Sequence, residues 1–471
     1  MNTKSFLRFF FIFLFVPIIF HAQIESNSDT LKLSLPECID LALKNSNYRP
    51  AAEYAIQTAE SRIEQAQSGH YPQLDAGLLY SRFDQDLNFI MPGMNMTIPQ
   101  INLGAITLDL PPIAVPEQNV KLADKQTITA DISLTLPLFT GWKISSYIQQ
   151  AEAGLEAAKH DLRQAKVNIT YETTRLYYAV VLTNKLVEIA TEAHERLSTT
   201  LEVTKSLYEK GSGKVTKTDY LKNKTIVEAV GSFVFSIKAQ NKSALAALVN
   251  AMGLDWNTKI ALSNNEIQFN HTIQSLEELI GTVYNSSPLW GKVEEGLKAY
   301  NSKIDEAKSN YYPQIGLFGT YKRIFNNYDY GMVTLDNKNL WAVGIGMQIS
   351  LFDGFRTSAK VDEAKANYLK LIEEKELLKK GLALQLQDLY NKLEAAIERE
   401  KSLKAAMETS TENRDLTERA YFNDLMEMQD LIQAQITESI MKAQYQYVLY
   451  EYVEIEAKIQ NVLGKEFPTQ N

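Results

Sequence analysis

The sequence predicts a mixed fold in which very long, paired α-helices are joined to long β-strands within an internally duplicated chain. Three observations predict it: motifs recur in the same order, two very long segments lack proline, and apolar residues alternate in separate runs. Helical and strand periodicities therefore both occur in one chain, and the repetition indicates two copies of one structural unit.

Residues 1–22 are predicted to be an export signal peptide. Lys4 and Arg8 precede an almost wholly apolar stretch over residues 9–20, and Ala22 supplies a small residue at the expected cleavage point. A retained membrane anchor is the alternative, but the stretch is shorter than the ~20 apolar residues that a spanning helix needs.

Composition limits the functional classes. The net charge of −9 argues against nucleic acid as a partner, and the single cysteine, Cys38, excludes an intrachain disulfide. Nucleotide-binding and hydrolase motifs are missing from the sequence, so neither an enzyme nor a cofactor is predicted. No metal site is predicted either, because the histidines outside the signal peptide have no ligand spacing. These are His70, His160, His194 and His271.

The first duplicated motif joins a charged, helix-like segment to a Tyr-Pro-Gln element. Ser61–Ser68 leads into Tyr71–Gln73, and Ser302–Ser309 leads into Tyr312–Gln314, at a constant separation of 241 residues. A second motif, Pro137–Phe139, recurs as Ser350–Phe352 at a separation of 213 residues. The sequence therefore predicts two structural repeats, with extra residues in the first. Their expected bounds are 23–252 and 253–471.

Proline-free segments predict unusually long helices. There is no proline between Pro137 and Pro288, nor between Pro313 and Pro468, and proline breaks helix interiors. The expected helices are about 50–70, 142–210 and 216–252 in the first repeat, and about 290–311, 355–420 and 426–463 in the second. The longest shows a heptad seam interrupted by Glu172, Thr183, Thr200 and Thr204. An ordinary soluble coiled coil is the alternative if the helices stand alone.

Four segments are predicted to be strands because apolar residues alternate along them. The strands are expected at about 74–83, 127–139, 314–323 and 340–352, with loops at 84–126 and 324–339. Their length is close to the ~9–11 residues of a tilted membrane strand. A soluble antiparallel sheet with one buried face is the alternative interpretation.

Geometry favours the membrane interpretation. Four strands cannot close a barrel, and an open sheet edge cannot face lipid. Three copies would supply twelve strands, an allowed even number. The expected assembly is therefore a trimeric α-barrel of long antiparallel helical hairpins, joined to a twelve-stranded membrane β-barrel.

The chain resembles the TolC-type outer-membrane efflux family over essentially the whole mature sequence. The motifs that carry the resemblance are Leu33–Leu43, the paired Tyr-Pro-Gln elements, the two strand ends, Tyr208–Gly211 with Asp219–Leu221, and Tyr421 with Asp430–Gln435. The resemblance implies a homotrimer in outer-membrane lipid with a helical barrel extending into the periplasm. It also implies docking to a periplasmic adaptor (a membrane fusion protein) and an inner-membrane pump, in efflux or type I secretion, without catalysis. A periplasmic coiled-coil adaptor or structural spacer is the alternative, but adaptors would not repeat the strand pairs.

The resemblance also implies a gate at the tips of two helical hairpins. Asp430 matches a position that lines the periplasmic constriction, with Gln433 one turn further. Three carboxylates there would attract cations; the alternative is a solvated acid that offsets the helix dipole. Asp219 and Tyr421 resemble a pair that holds the tip closed, and Asp424 stands where the family commonly has glycine. The residues expected at the adaptor-docking tips are Lys210, Gly211, Gly213, Lys214, Asn423 and Leu425.

The predicted loop 84–126 contains three methionines, Met91, Met94 and Met96. Strand order places this loop outside the cell. A methionine cluster could bind a soft metal such as Cu(I). The favoured interpretation is that these side chains make adaptable apolar contacts over the barrel mouth.

Overall fold

The computed structural model describes residues 30–102, 104, 107–211, 215–269, 274–326, 338–465 and 467. Several expectations lie outside these described residues: the signal peptide 1–22, Gly213, Lys214, His271 and positions 327–337 of the loop 324–339.

The helices follow the same plan twice. They are α1 (Leu35–Asn45), α2 (Tyr48–Ser68), α3 (Lys143–Glu209), α4 (Lys217–Ala251), α5 (Leu276–Ser286), α6 (Pro288–Lys308), α7 (Arg356–Phe422) and α8 (Met428–Leu463). Helices α3 and α7 each contain 67 residues, which corresponds to ~100 Å at 1.5 Å per residue. The shorter helices also match between halves: α1 and α5 have 11 residues each, and α2 and α6 have 21 each.

Four strands form one antiparallel sheet. They are β2 (Gln73–Arg82), β9 (Gln126–Phe139), β11 (Gln314–Phe325) and β12 (Asn339–Gln348), in the order β12-β11-β9-β2. The expected strand 340–352 ends earlier, at Gln348, because its partner Gln314 follows Pro313, which has no N–H to continue the ladder. A separate parallel pair joins β1 (Leu31–Leu33) to β10 (Ile260–Leu262).

The register makes the sheet amphipathic. Leu74 pairs with Leu134, which pairs with Gly319, which pairs with Val343. Directly opposite residues share a face, so this row carries apolar side chains on β2, β9 and β12 and a glycine on β11. The adjacent row, on the other face, begins with Asp75, Ser133 and Thr320. Val343 is 72% exposed, so the apolar face is uncovered in the single chain.

The expected loop 84–126 is a long β-ribbon, so the prediction of a loop was wrong. Its ladders pair β3 (Leu87–Met91) with β8 (Gln118–Ala123), β4 (Met94–Met96) with β7 (Ile113–Val115), and β5 (Ile101–Asn102) with β6 (Thr107–Leu108). All five prolines of the segment lie between these short strands and interrupt no ladder. Long-range pairing thus overrides the loop-like composition.

Each long helix is entered through the same left-handed turn. Gly141 and Trp142 have φ angles of 62° and 66°, and Gly354 and Phe355 have φ angles of 68° and 65°. A Cβ atom on Gly141 would lie only 2.6 Å from the Ser309 carbonyl oxygen, so this position requires glycine for both conformation and space. The turn folds each strand back into the following helix.

Lateral order is the same along the whole molecule. The strands lie in the order β2, β9, β11, β12, and the helices attached to them lie in the matching order α2, α3, α6, α7. Further from the sheet, α4 takes the place of α2 and α8 takes the place of α6. The order there is therefore α4, α3, α8, α7. The chain is therefore a wall segment four elements wide, with its core between neighbouring helices. Among the described residues, no helix is long and apolar enough to cross a membrane.

The three threonines that interrupt the heptad seam are paired across helices, whereas Glu172 pairs with Arg175 on α3 itself. The Thr204 hydroxyl accepts a hydrogen bond from buried Asn223 on α4 at 3.0 Å, and Thr183 accepts one from Asn241 at 3.0 Å. Thr200 lies 3.3 Å from the Gln435 amide of α8. These hydrogen bonds give each of the three seam threonines a partner on α4 or α8 and connect α3 to its two neighbours.

Candidate functional site at the hairpin tips

The first tip joins α3 to α4. Lys210 and Gly211 end α3, with Gly211 at a φ of 62°. Helix α4 begins with a capping box in which Thr216 donates its N–H and hydroxyl to one Asp219 carboxylate oxygen, at 3.0 and 2.6 Å. These two hydrogen bonds hold the pKa of Asp219 below its ordinary value. Asp219 is thus a helix-start acid that fixes the tip.

The second tip joins α7 to α8 and repeats this design. Asp424 has a φ of 62°, the same conformation as Gly211, and Leu425 donates its N–H to the Ala420 carbonyl at 2.9 Å. The Asp430 carboxylate accepts a hydrogen bond from the Glu427 N–H at 3.3 Å. Asp430 therefore corresponds in position and local role to Asp219.

A groove of about 680 Å³ separates the two tips. It brings together four of the expected gate residues, Asp219, Tyr421, Asp424 and Gln433. Asp430 is not part of the lining; it is exposed on the first turn of α8, three residues before Gln433. The groove lies over a small apolar core, and Tyr421 packs against it. The core residues are Leu197, Val227, Met428 and Ile432.

Sequence reasoning missed a buried charge cluster close to the tips. Glu438 on α8 is 1% exposed. Its carboxylate contacts Arg196 Nη1 of α3 at 2.7 Å, Arg414 Nε of α7 at 3.0 Å and Lys442 Nζ of α8 at 3.0 Å. Thr411 donates a further hydrogen bond at 3.3 Å. One carboxylate therefore connects three helices through three cations.

The cations compensate for the burial of this carboxylate. Burial raises the pKa of Glu438, but the hydrogen bonds from Arg414 and Lys442 outweigh it and leave the pKa below its ordinary value. Lys442, four residues later on the same helix, was the only signal in the local sequence. Arg196 and Arg414 are distant in sequence, so helical periodicity could not assign them to one cluster.

The Cu(I) alternative for Met91, Met94 and Met96 stays a prediction, because its ligands would be thioether sulfurs and not acids or histidines. Within the described ranges, no three His, Cys, Asp or Glu side chains lie close enough to hold a metal ion. Met94 and Met96 lie on β4 of the ribbon and are more than half exposed.

A wall-shaped chain of very long helices that ends in an amphipathic sheet is typical of channel subunits of the bacterial outer membrane. A model of the outer membrane efflux protein family matches residues 38–254 and 279–465, one match in each repeat. The chain belongs to the outer membrane efflux protein family, which confirms the TolC-type resemblance. The family is one of outer-membrane transport channels and not of enzymes.

Individual relatives and solved structures agree with this family assignment. Nodulation protein T of Rhizobium leguminosarum bv. trifolii is 22% identical over 359 residues, covering 73% of this chain and 74% of that protein. The outer membrane efflux protein BepC of Brucella suis biovar 1 is 21% identical over 344 residues, covering 71% and 72%. The fold is similar to that of the Campylobacter jejuni CmeC outer membrane channel, with a TM-score of 0.73, 16% identity and coverage of 92% of this chain and 86% of the other. It is also similar to Vibrio cholerae VceC, with a TM-score of 0.69, 15% identity and coverage of 92% and 97%.

Proposed function

We propose that three copies of this chain close into one gated tube that conducts substrates passively across the outer membrane. The observation that carries this proposal is the sheet, which has one predominantly apolar face and, among the described strands, no partner for the outer edges of β2 and β12. Unpaired edges cannot remain exposed to lipid, and copies of the same sheet are complementary in length and direction. Twelve strands then complete the barrel.

The helical edges support the same assembly. Helix α4 lies at one edge of the wall and α7 at the other. Phe235 and Leu221 on α4 are 75% and 49% exposed, and Leu416 on α7 is 56% exposed. Large apolar side chains at opposite edges favour packing of α4 against α7 of the next copy. The two structural repeats, about 23–252 and 253–471, would then alternate around the tube.

Assembly and conduction can be measured together. The purified protein should migrate as a trimer on unheated gels and as a monomer after heating, and it should form channels in planar bilayers. A detergent-extracted protein that remains monomeric and forms no channels would contradict the proposal. Phe235→Glu should reduce trimer formation, because it places a charge at the apolar edge. Gln444→Glu is the matched control, because it introduces the same charge at an exposed position of α8, which lies at neither edge of the wall.

The tips are proposed as the periplasmic gate. Asp430 and Gln433 are exposed on one side of α8 next to the groove. In a threefold assembly Asp430 would contribute three carboxylates, which attract cations. Asp430→Asn should therefore lower the preference for cations in bilayer recordings. Glu412→Gln should not lower it, because Glu412 is an exposed acid on α7, away from the tip. Equal selectivity in the two variants would contradict this role of Asp430.

The tips are also proposed as the docking site for a periplasmic adaptor that couples the tube to an inner-membrane pump. Lys210, Gly211, Asn423 and Leu425 lie on the two exposed turns, and Leu425 is 79% exposed. A photo-crosslinker at Leu425 should capture the adaptor in intact cells, whereas one at Lys392 should not. Capture at both positions would contradict specific docking at the tip.

A further inference from the structure

The polar face of the four-stranded sheet is lined mainly by small side chains. The register along β11 is constant from Gly316 to Phe325, so the same face continues from β2 to β12 without exchanging sides. Its small residues are Gly77, Ser133, Thr135, Gly316, Thr320, Ala342, Gly344 and Gly346. In a membrane barrel the apolar face meets lipid and the other face lines the aqueous interior. This polar face is therefore the wall of the barrel lumen.

Three charged residues lie on the polar face within these four strands: Asp75, Asp131 and Lys322. Asp75 is directly opposite Ser133, and Asp131 is directly opposite Gly77. The two acids are therefore diagonal neighbours on adjacent strands, at a spacing of ~7–8 Å. Lys322 lies in the same row as Asp131, but on β11.

Gly77 gives the Asp131 side chain room on this face. A Cβ atom on Gly77 would lie only 2.8 Å from Asp131 Oδ1, so the carboxylate lies over the backbone of β2. Lys322 is on the other side of β9. Asp131 thus leans towards the strand that carries Asp75, and the lumen wall of each copy has a negative side and a positive side.

These charges lie within the membrane span of the barrel. Strand β2 has 10 residues, the length needed to cross the hydrocarbon layer. Asp75 is its third residue, and the row of Asp131 meets β2 at the fifth, Gly77. A water-filled passage between walls of low dielectric constant focuses the field of such charges. A carboxylate there acts more strongly on a passing ion than one on an open surface.

We propose that Asp75 and Asp131 make the barrel lumen selective for cations and that Lys322 limits this selectivity. The inference rests on the trimer proposed above. Three copies bring six carboxylates and three ammonium groups into the lumen, so its net charge is negative. Cations and cationic solutes then pass the barrel more readily than anions of the same size. This filter is separate from the hairpin tips, because the long helices lie between them.

Permeability ratios test the sign of each charge. Asp75→Asn and Asp131→Asn should each lower the ratio of K⁺ to Cl⁻ permeability about twofold, because each removes three carboxylates from the lumen. Lys322→Gln should raise the ratio, because it removes the opposing positive charges. Reversal potentials across planar bilayers under a KCl gradient give the ratio. The dilute side is kept at ~0.1 M, where charges act over ~10 Å.

The opposite signs distinguish an electrostatic effect from a general structural one. Asp255→Asn is the matched control, because it neutralises an exposed acid between α4 and β10, away from the sheet. The inference is overturned if both lumen acids can be neutralised with no more effect than the control. It is also overturned if Lys322→Gln lowers the ratio.

Cysteine modification tests which face lines the lumen. The native Cys38 is fully buried, and burial raises its pKa to about 12, so it will not compete with an engineered thiol. Ser133→Cys places a thiol in the row of Asp75, and Leu134→Cys places one on the apolar face. An anionic methanethiosulfonate reagent in the aqueous phase should raise the permeability ratio of Ser133→Cys channels, and a cationic one should lower it. Leu134→Cys channels should not respond; a response confined to Leu134→Cys would overturn the inference.

Unheated gels and channel formation separate this inference from the trimer on which it rests. Trimeric channels whose ion preference ignores Asp75, Asp131 and Lys322 would overturn the lumen filter while leaving the tube intact. A protein that forms neither trimers nor channels would instead overturn the proposed function.

Discussion

The buried cluster around Glu438 should control the stability of the hairpin tips. In Glu438→Gln the amide retains one acceptor oxygen but loses the charge that three cations share. Arg196 and Lys442 are 34% and 27% exposed and can recover hydration. Arg414 is only 13% exposed and cannot recover full hydration, although its ion pair with Asp415 at 2.6 Å remains. Breaking a buried pair costs about 3–5 kcal/mol, and this partial compensation favours the lower end.

Hydrogen exchange gives the local measurement. A loss of about 3 kcal/mol corresponds to an increase of about 100-fold in the opening equilibrium. Amides of α3, α7 and α8 near the cluster should therefore lose protection, whereas those around α1 and α5 should change little. Glu192→Gln is the matched control, because Glu192 is 49% exposed and contacts Arg196 at 3.5 Å. An exposed pair contributes about 0–1 kcal/mol.

The pH dependence has a definite sign. Because the folded-state pKa of Glu438 is lowered, its contribution is complete above its unfolded value of about 4.3 and is lost as the pH falls through the folded value. The difference between wild type and Glu438→Gln should therefore be constant from pH 6 to 8, within about 0.5 kcal/mol, and should shrink in acid. If Glu438→Gln and Glu192→Gln lose the same protection at neutral pH, the cluster does not stabilise the tips.

Three further substitutions test other parts of the molecule. Gly141→Ala should destabilise the fold more than Gly354→Ala, because both force a left-handed conformation costing about 1 kcal/mol but only Gly141 lies against the Ser309 carbonyl. Thermal unfolding of both variants checks this, and equal melting temperatures would contradict it. Asp424→Gly should stabilise the second tip by about 0.5–1 kcal/mol, whereas Asp424→Ala should not. The measurement is slower hydrogen exchange at the Leu425 amide. Faster exchange in the glycine variant would show that the aspartate side chain matters more than backbone conformation. Thr216→Ala removes the α4 cap and should cost about 1 kcal/mol, visible as increased proteolysis at the first tip; Thr225→Ala, within α4, is its control, and equal cleavage would refute the capping role.

Local sequence determined much of the helical architecture. Proline-free segments and heptad periodicity predicted helices close to α3 and α7, because helical hydrogen bonds join residues four positions apart. The sequence similarly predicted helices close to α2 and α6 and to α4 and α8, but it did not predict the short helices α1 and α5. Alternation predicted β9 and β11, since strand periodicity is also a local property.

Tertiary structure decided what depends on distant partners. The ribbon at 84–126 has the prolines and glycines of a loop, and only the pairing of β3 with β8 and of β4 with β7 makes it a β-structure. Glu438 likewise resembles any solvated helical acid until α3 and α7 bring Arg196 and Arg414 against it. The periodicity of apolar residues indicates which side of a helix or strand is apolar. It does not record which other element covers that side, because that choice is made by contacts between residues hundreds of positions apart.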